Sequence, residues 1–485
     1  MALRAYQIAA AKALAHGTHV GLWMAAGLGK TATALHAWDL LGRPTPILVV
    51  TRAIGRHVWP RDAQWLLGDS SFSILWGGKA RSKSGIHRDG TYSDFARAFL
   101  KKQAIVTNYE VLGKRIDELK RIPWRVVIYD EAHALKMGYM GLKQRKDGTW
   151  QTNQFTFARD IARGVHNRKG HVWQITATPI RDRVRDYWGQ LNIALPGLFP
   201  ARGKREWLLK YCNAYINRWG GWDTTGAQNL DELADLVLQY FIALDRESVR
   251  EQLPAIQRDI RVVDAGRSPQ RAFKHYEDAI AYAASTKHDD AVSLALEYMS
   301  SGAKAVIVTT RRKLAADIHG LMLKSLSAKN HGLRYDLRTK VTIQAVTGET
   351  PIKQRMHIVN EFNSSENPGT LVATLDSISE SINLHLVDGL IVAGLPYTPA
   401  QVVQMEGRVG RLGGKPCTIH YLVAKDTIDE QIRYVLLDKL DAVTEAGSDT
   451  QGGHGAAESL RVIRNEEDVI SSLKLWLEKG ARNDG

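Results

Sequence analysis

Val126-Val127-Ile128-Tyr129-Asp130-Glu131-Ala132-His133 reads as a buried strand that ends in two carboxylates and an imidazole. A parallel sheet binds ligands outside the carboxyl ends of its strands, so acidic residues there face a ligand rather than the core. An aspartate in that place can hold Mg²⁺, and a glutamate can polarise water. Well upstream, Gly27-Leu28-Gly29-Lys30-Thr31 follows another apolar run, residues 20–25, and opens a helical pattern. It has the parts of a phosphate-binding loop: backbone N–H groups for phosphate oxygens, a lysine for the β/γ-phosphates and a threonine hydroxyl for Mg²⁺. A glycine-rich turn alone is weak evidence. Both motifs together, in this order and at strand ends, predict a nucleotide hydrolase.

Composition frames that reading. At 485 residues the chain is long enough for two or three domains, each with its own core. Two cysteines, Cys212 and Cys417, support neither a disulfide framework nor a metal cluster. The N-terminus lacks an apolar signal region and no run approaches membrane-spanning length, so a cytoplasmic protein without membrane contact is expected. The net charge of +14 is unevenly placed: residues 1–200 carry 30 Lys/Arg against 14 Asp/Glu, and the remainder 35 against 37. A basic first part suggests a polyanion track; a solvated surface kept for solubility is the other use. Part of the excess sits in loop-like text from Lys79 to Arg88 and from Lys136 to Lys146.

Along the chain, apolar strand runs alternate with helical patterns, the mark of parallel α/β units. The first series of strands is expected at 19–25, 46–51, 72–75, 104–108, 125–130 and 172–177. The second is expected at 305–310, 342–346, 370–374, 389–393 and 418–423. Between them, residues 196–263 read as helical and rich in Trp, Tyr and Leu. The expected division is an ATP-binding domain over 1–195, a helical insert over 196–263, a second α/β domain over 264–440, a flexible linker over 441–456 and a C-terminal helix over 457–485. The second unit has no phosphate loop of its own. It carries Gln404-Met405-Glu406-Gly407-Arg408-Val409-Gly410-Arg411, which places two arginines on one helical face. Such arginines can neutralise a transferring phosphoryl group, an effect of ~10³–10⁵ in rate; supplied from a second domain, they would make hydrolysis depend on domain closure.

Tyr6-Gln7, Gly27 to Thr31, Asp130 to His133, Thr176-Ala177-Thr178-Pro179 and Gln404 to Arg411 occur in the order found in superfamily-2 helicases. Thr107-Asn108-Tyr109-Glu110, Gly348-Glu349-Thr350 and Glu361-Phe362-Asn363 resemble the Swi/Snf-type branch of DNA translocases. Within that branch, Tyr211-Cys212-Asn213-Ala214, Gly221-Trp222-Asp223, the run Gly226 to Leu233 and Gln252-Leu253-Pro254 resemble the HARP-like annealing helicases. The likeness spans about residues 3–435. It departs at Ala243-Leu244-Asp245-Arg246, where that subgroup shows paired arginines and a lysine, and near Ser379 and Ser381, where it shows glycines. An accessory region of the HARP type before residue 1, and recruitment of a partner by that route, are not expected.

The resemblance implies two RecA-like parallel-sheet domains in tandem, with the helical insert between them and a short helical tail. It implies ATP and Mg²⁺ as cofactors. Tyr6 and Gln7 would sense adenine; Gly27, Leu28, Gly29, Lys30 and Thr31 would hold phosphates, with Gln404 assisting from the second domain. Thr31 and Asp130 would hold Mg²⁺, Glu131 would position or deprotonate the attacking water, and Arg408 and Arg411 would stabilise the transferring group. His133, Thr176 and Thr178 would couple nucleotide state to the domain interface; a buried hydrogen-bonding histidine and turn-capping hydroxyls are the plain alternatives. Thr51 and Arg52, Thr107 and Asn108, and Arg311 and Arg312 follow strand ends in ways that suit DNA phosphates. Trp188, Trp219 and Trp222 suit core packing first and base stacking second.

The expected protein is a monomeric ATP-dependent translocase that remodels or anneals duplex or branched DNA, nucleoid-associated, alongside single-strand-binding or replication and recombination proteins. A strand-separating DNA or RNA helicase is the mechanistic alternative, since phosphate grip does not read the 2′-hydroxyl. A nucleic-acid-binding scaffold without ATPase is the alternative of another class.

Overall fold

The computed structural model describes residues 3–53, 55–77, 104–135, 153–177, 184–198, 203–218, 220–224, 226–266, 273, 275–327, 341–379, 383–396, 399–411 and 413–433. The expected tail over 441–485 and the basic runs from Lys79 and from Lys136 lie outside them. The chain forms two compact units: among the described residues the first holds 3–25 and 29–248, and the second holds 26–28 and 249–433. Among the described residues no helix is long and apolar enough to cross a membrane.

The first unit is built on a seven-stranded parallel sheet. Its strands are β1 (Gly21–Met24), β2 (Ile47–Thr51), β3 (Phe72–Ile74), β4 (Ala104–Asn108), β5 (Val126–Asp130), β6 (His171–Thr176) and β9 (Phe241–Leu244), in the spatial order β3-β4-β2-β5-β6-β1-β9. β1, β2 and β4 are buried at every residue, as sheets covered on both faces require, which is why they read as unbroken apolar runs. Trp23 on β1 stacks on Phe241 of β9 with ring centroids 4.9 Å apart, so the last strand is tied to the core by an aromatic pair.

The second unit holds a six-stranded parallel sheet. Its strands are β10 (Ile256–Val263), β11 (Lys304–Thr309), β12 (Thr342–Val346), β13 (Gly369–Thr374), β14 (Gly389–Val392) and β15 (Cys417–Ala424), in the order β10-β15-β14-β11-β13-β12. Helices on its two faces close two apolar cores. Lys287 and Asp429 form an ion pair with both side chains fully buried. The Lys287 ammonium also donates to the Leu422 carbonyl at 2.9 Å, and Asp429 accepts from the Ala424 amide at 3.1 Å. These bonds tie the start of the helix His288–Ser300 to the end of β15.

The two parallel sheets are the expected tandem of RecA-like domains. The 196–263 stretch needs correction: it is not a separate helical insert. It contains the helices Lys204–Tyr211 and Leu230–Leu238, a hairpin of β7 (Tyr215–Ile216) and β8 (Trp222–Asp223), and then β9 and β10. β9 completes the first sheet beside β1, and β10 pairs along its whole length with β15 in the second. Trp188 is core, whereas Trp222 on β8 is 44% exposed; Trp219 lies outside the described residues.

Candidate active site

The carboxyl ends of β1, β5, β6 and β2 lie side by side along one edge of the first sheet. After β1 the chain turns through Gly27 (φ 88°) and Gly29 (φ 77°). Both are in the left-handed region, which only glycine enters without strain and which lines up successive N–H groups into an anion cradle. The helix Lys30–Leu40 starts on Gly29, so its first-turn N–H groups and positive dipole end face the same space. Lys30 Nζ donates to the Met24 and Ala25 carbonyls at 2.9 and 3.3 Å, which holds the ammonium at the loop. Leu28 is buried, Thr31 is partly exposed, and the neighbouring Thr33 hydroxyl donates back to Gly29 O at 3.1 Å.

Gln7 approaches the same loop, with Nε2 3.5 Å from Gly29 O. Its Oε1 accepts from the Arg4 amide at 2.9 Å, so the side chain is fixed at the helix start rather than solvated. Beside it, burial pushes the Tyr6 phenol up to about 12.

Asp130 ends β5. Its Oδ2 accepts from Thr51 Oγ1 at 2.8 Å and from Trp59 Nε1 at 2.9 Å, and its Oδ1 from the Glu131 amide at 3.0 Å. Burial, then the adjacent Glu131 charge, push its carboxyl up to about 6, against the downward pull of the two side-chain bonds and of Lys30. Gly55 makes room for this: a Cβ there would lie 2.2 Å from the Thr51 hydroxyl. Glu131 has φ 53°, a conformation costing a non-glycine residue of order 1–3 kcal/mol, and it turns the chain away from the strand. Its Oε2 lies 3.3 Å from His133 Nδ1. His133 is buried; the same nitrogen is 3.2 Å from Thr176 Oγ1 and its Nε2 is 3.3 Å from the Arg52 guanidinium.

Two adjacent carboxylates, one of them raised by desolvation and repulsion, are a donor set that a divalent cation relieves. With a glycine cradle, a helix N-terminus and a lysine at the same sheet edge, the residues fit a magnesium-bound nucleoside triphosphate.

A family model for the SNF2-related domain matches residues 7–309. The chain belongs to the SNF2-related family. A model for the helicase conserved C-terminal domain matches residues 287–413. The chain is 26% identical over 449 residues to the SWI/SNF-related matrix-associated actin-dependent regulator of chromatin subfamily A-like protein 1 of Xenopus tropicalis, covering 87% of this chain and 42% of that protein. It is 22% identical over 473 residues to the DNA annealing helicase and endonuclease ZRANB3 of Homo sapiens, covering 93% of this chain and 40% of that protein. The chain thus spans less than half the length of these relatives. The solved Sulfolobus solfataricus SWI2/SNF2 ATPase core in complex with dsDNA is similar at 18% identity and a TM-score of 0.42, over 96% of this chain and 97% of that one.

In this SNF2-related chain, Arg408 and Arg411 do not share a helical face. The helix Pro399–Glu406 ends before them, because Gly407 and Gly410 punctuate the segment. Gln404 remains on the helix and is partly buried. Arg408 is buried, its carbonyl accepts from the Leu384 amide at 3.0 Å, and Arg411 Nε donates to Gly407 O at 2.6 Å. Sequence reading missed what aims this segment. Arg258 on β10 grips the buried Glu406 through two bonds of 2.8 and 2.9 Å, and Tyr421 OH adds a third at 2.7 Å. No sequence signal links Arg258 to Glu406; only the pairing of β10 with β15 does.

The expected DNA contacts need the largest revision. Thr51 is buried and spends its hydroxyl on Asp130. Thr107 is buried too, donating to Leu75 O at 3.1 Å, and Asn108 is buried and bonds Glu110. Side chains at the end of a strand inside a covered sheet satisfy one another before they meet solvent. Arg52 keeps partial exposure. In the second unit Arg311 donates to Glu277 O and Asp278 at 3.0 Å, and Arg312 pairs with Glu349; both arginines are exposed. Thr178 lies outside the described residues.

Proposed function

We propose that this chain binds ATP with Mg²⁺ and couples its hydrolysis to translocation on duplex or branched DNA, remodelling or re-pairing strands in replication, recombination or repair. The observation that carries the proposal is the Asp130–Glu131 pair, built at the same sheet edge as the Gly27–Thr31 loop and fixed there by named donors. Thr31 and Asp130 would hold Mg²⁺, which supplies charge neutralisation at the phosphates. Lys30 and the loop amides orient the β/γ-phosphates. Glu131 orients the attacking water and takes its proton, and Arg408 and Arg411 are assigned to the charge that develops on the transferring group. Gln7 and Tyr6 are assigned to the base. The relative named as a DNA annealing helicase supports re-pairing as the outcome, and the basic balance of residues 1–200 supports a phosphate track. We assign it to the cytoplasm, at the nucleoid, as a monomer working beside single-strand-binding protein.

One observation favours strand separation as a second reading: the β7–β8 hairpin stands apart from both sheets, with Tyr215 and Ile216 57% and 63% exposed. Steady-state ATPase on single-stranded, duplex and forked DNA and on matching RNA tests both. The proposal expects stimulation by duplex and forked DNA above that by single strands, none in Lys30→Ala, and retained ATP binding with very slow turnover in Glu131→Gln. Stimulation by single strands alone favours the strand-separating reading; no ATPase with any nucleic acid leaves a binding scaffold.

A further inference from the structure

We infer that the β7–β8 hairpin is a separate DNA site, where the Trp222 indole stacks on an unpaired base of a single strand and Arg205 draws in the adjoining phosphate. The site goes beyond the function proposed above and rests on it for DNA as the ligand. In this antiparallel hairpin Ile216 lies opposite Trp222, and Tyr215 opposite Asp223. Directly opposed residues share a face, and neighbours along a strand take opposite faces. Ile216 and Trp222 therefore form one face, and both are exposed. Tyr215 and Asp223 form the other, where the Tyr215 hydroxyl donates to Asp223 Oδ2 at 3.3 Å. The exposed Arg205, on the helix Lys204–Tyr211, stands over the Trp222 ring with its guanidinium carbon 6.0 Å from the centroid.

The hairpin is fastened at both ends. At the turn, the Asn217 amide donates to Gly221 O at 2.8 Å and Asn217 Oδ1 accepts from the Gly221 amide at 3.1 Å. At the feet, the buried Thr224 hydroxyl accepts from Arg185 at 2.9 Å, and the Gln228 amide donates to Tyr211 O at 2.9 Å. The indole is thus presented on a braced support. Among the described residues, four of the nine exposed large hydrophobics fall between 209 and 222, a cluster of the kind that marks an interaction site rather than ordinary scatter. A stable protein interface buries about 800 Å² on each partner, far more than one Trp–Ile pair supplies, whereas a single nucleobase needs only a flat ring. Stacking on that ring tolerates any base, since each has a π-face, and an arginine beside it adds charge for the phosphate. Arg218, exposed next to the turn, brings a second cation. Paired bases are stacked on one another and cannot use the ring, so the site tells an unpaired arm from duplex.

Fluorescence anisotropy at one fixed ionic strength tests the site without ATP turnover, using labelled oligothymidylate, an abasic strand of the same length and a blunt duplex. The wild type should bind the abasic strand about ten-fold more weakly than oligothymidylate, the worth of one stacked base; this comparison needs no variant. Trp222→Ala should lose about the same factor on oligothymidylate, match the wild type on the abasic strand and keep its affinity for duplex. Trp222→Phe, which retains a ring, should keep most of the single-strand affinity. Equal wild-type affinity for the two single strands overturns the proposal. So does a Trp222→Ala protein that matches the wild type on every strand, which leaves the hairpin to a protein partner, or one that loses duplex affinity in the same proportion, which makes Trp222 structural. Equal affinity for the single strands alongside duplex-stimulated ATPase removes this site alone, whereas no binding to any of the three removes the DNA reading and the site with it.

Discussion

Replacing Thr51 with valine separates a strand-end hydroxyl that serves the acidic site from one that grips DNA. Thr51 is buried and donates to Asp130 Oδ2 at 2.8 Å, and valine keeps its shape beside Gly55. A hydrogen bond to a charged group contributes about 1.5–3 kcal/mol, and about 1.4 kcal/mol corresponds to one pKa unit. Asp130, now at about 6, should rise by roughly one to two units, because its ionised form loses a donor while burial and Glu131 still oppose ionisation. Near pH 7 the carboxyl would then be largely protonated before the cation arrives. Mg²⁺ titrations of ATPase should show a requirement raised on the order of ten-fold at pH 7 and restored near pH 8.5, where Asp130 ionises in either protein. DNA affinity by fluorescence anisotropy should stay at the wild-type value. Weaker DNA binding with an unchanged Mg²⁺ requirement would refute this reasoning and return Thr51 to the phosphate track.

Arg411→Ala should leave ATP affinity within a few-fold while removing most DNA-stimulated turnover, with Arg408→Ala similar; loss of ATP binding equal to that of Lys30→Ala would make either one a ground-state ligand. Asp130 also predicts a stability trend without Mg²⁺. Its folded value of about 6 exceeds the ordinary 3.8, so the folded protein keeps a proton across that window that the unfolded chain has released. Its contribution therefore falls as pH rises through the window and is level above it; Asp130→Asn should gain about 2–3 kcal/mol on wild type from pH 4 to above 6, by denaturant unfolding. Lys287→Met should destabilise the second unit by about 3–5 kcal/mol by stranding a buried carboxylate, and adding Asp429→Leu should recover most of it; an unaltered unfolding midpoint in Lys287→Met would contradict the pairing. DNA affinity should fall with salt on a log–log slope of about −0.9 per phosphate neutralised on duplex, and a flat salt response would remove the basic track.

Eleven strands were legible because buried parallel strands are written as short apolar runs. β10 escaped because Ile256-Gln257-Arg258-Asp259-Ile260-Arg261-Val262-Val263 is an edge strand, half exposed and crossed by charges. β9, only Phe241 to Leu244, was hidden in text that is helical on either side. At the site, the loop and the acidic pair could be read because their function depends on residues adjacent in sequence. Thr51 could not: a hydroxyl at a strand end suits phosphate as well as carboxylate, and its partner lies 79 positions away. Distance in sequence likewise concealed the Arg52–His133 contact, 81 positions apart, and the grip of Arg258 on Glu406, 148 positions apart.

Displacement of a triplex-forming strand from a long duplex measures movement along paired DNA without requiring the pair to open. With ATP, the wild-type chain should displace the third strand and Glu131→Gln should not, while a simple blunt duplex stays paired. Failure to displace it with ATP, together with efficient separation of the simple duplex, would contradict duplex translocation and leave the strand-separating reading in its place.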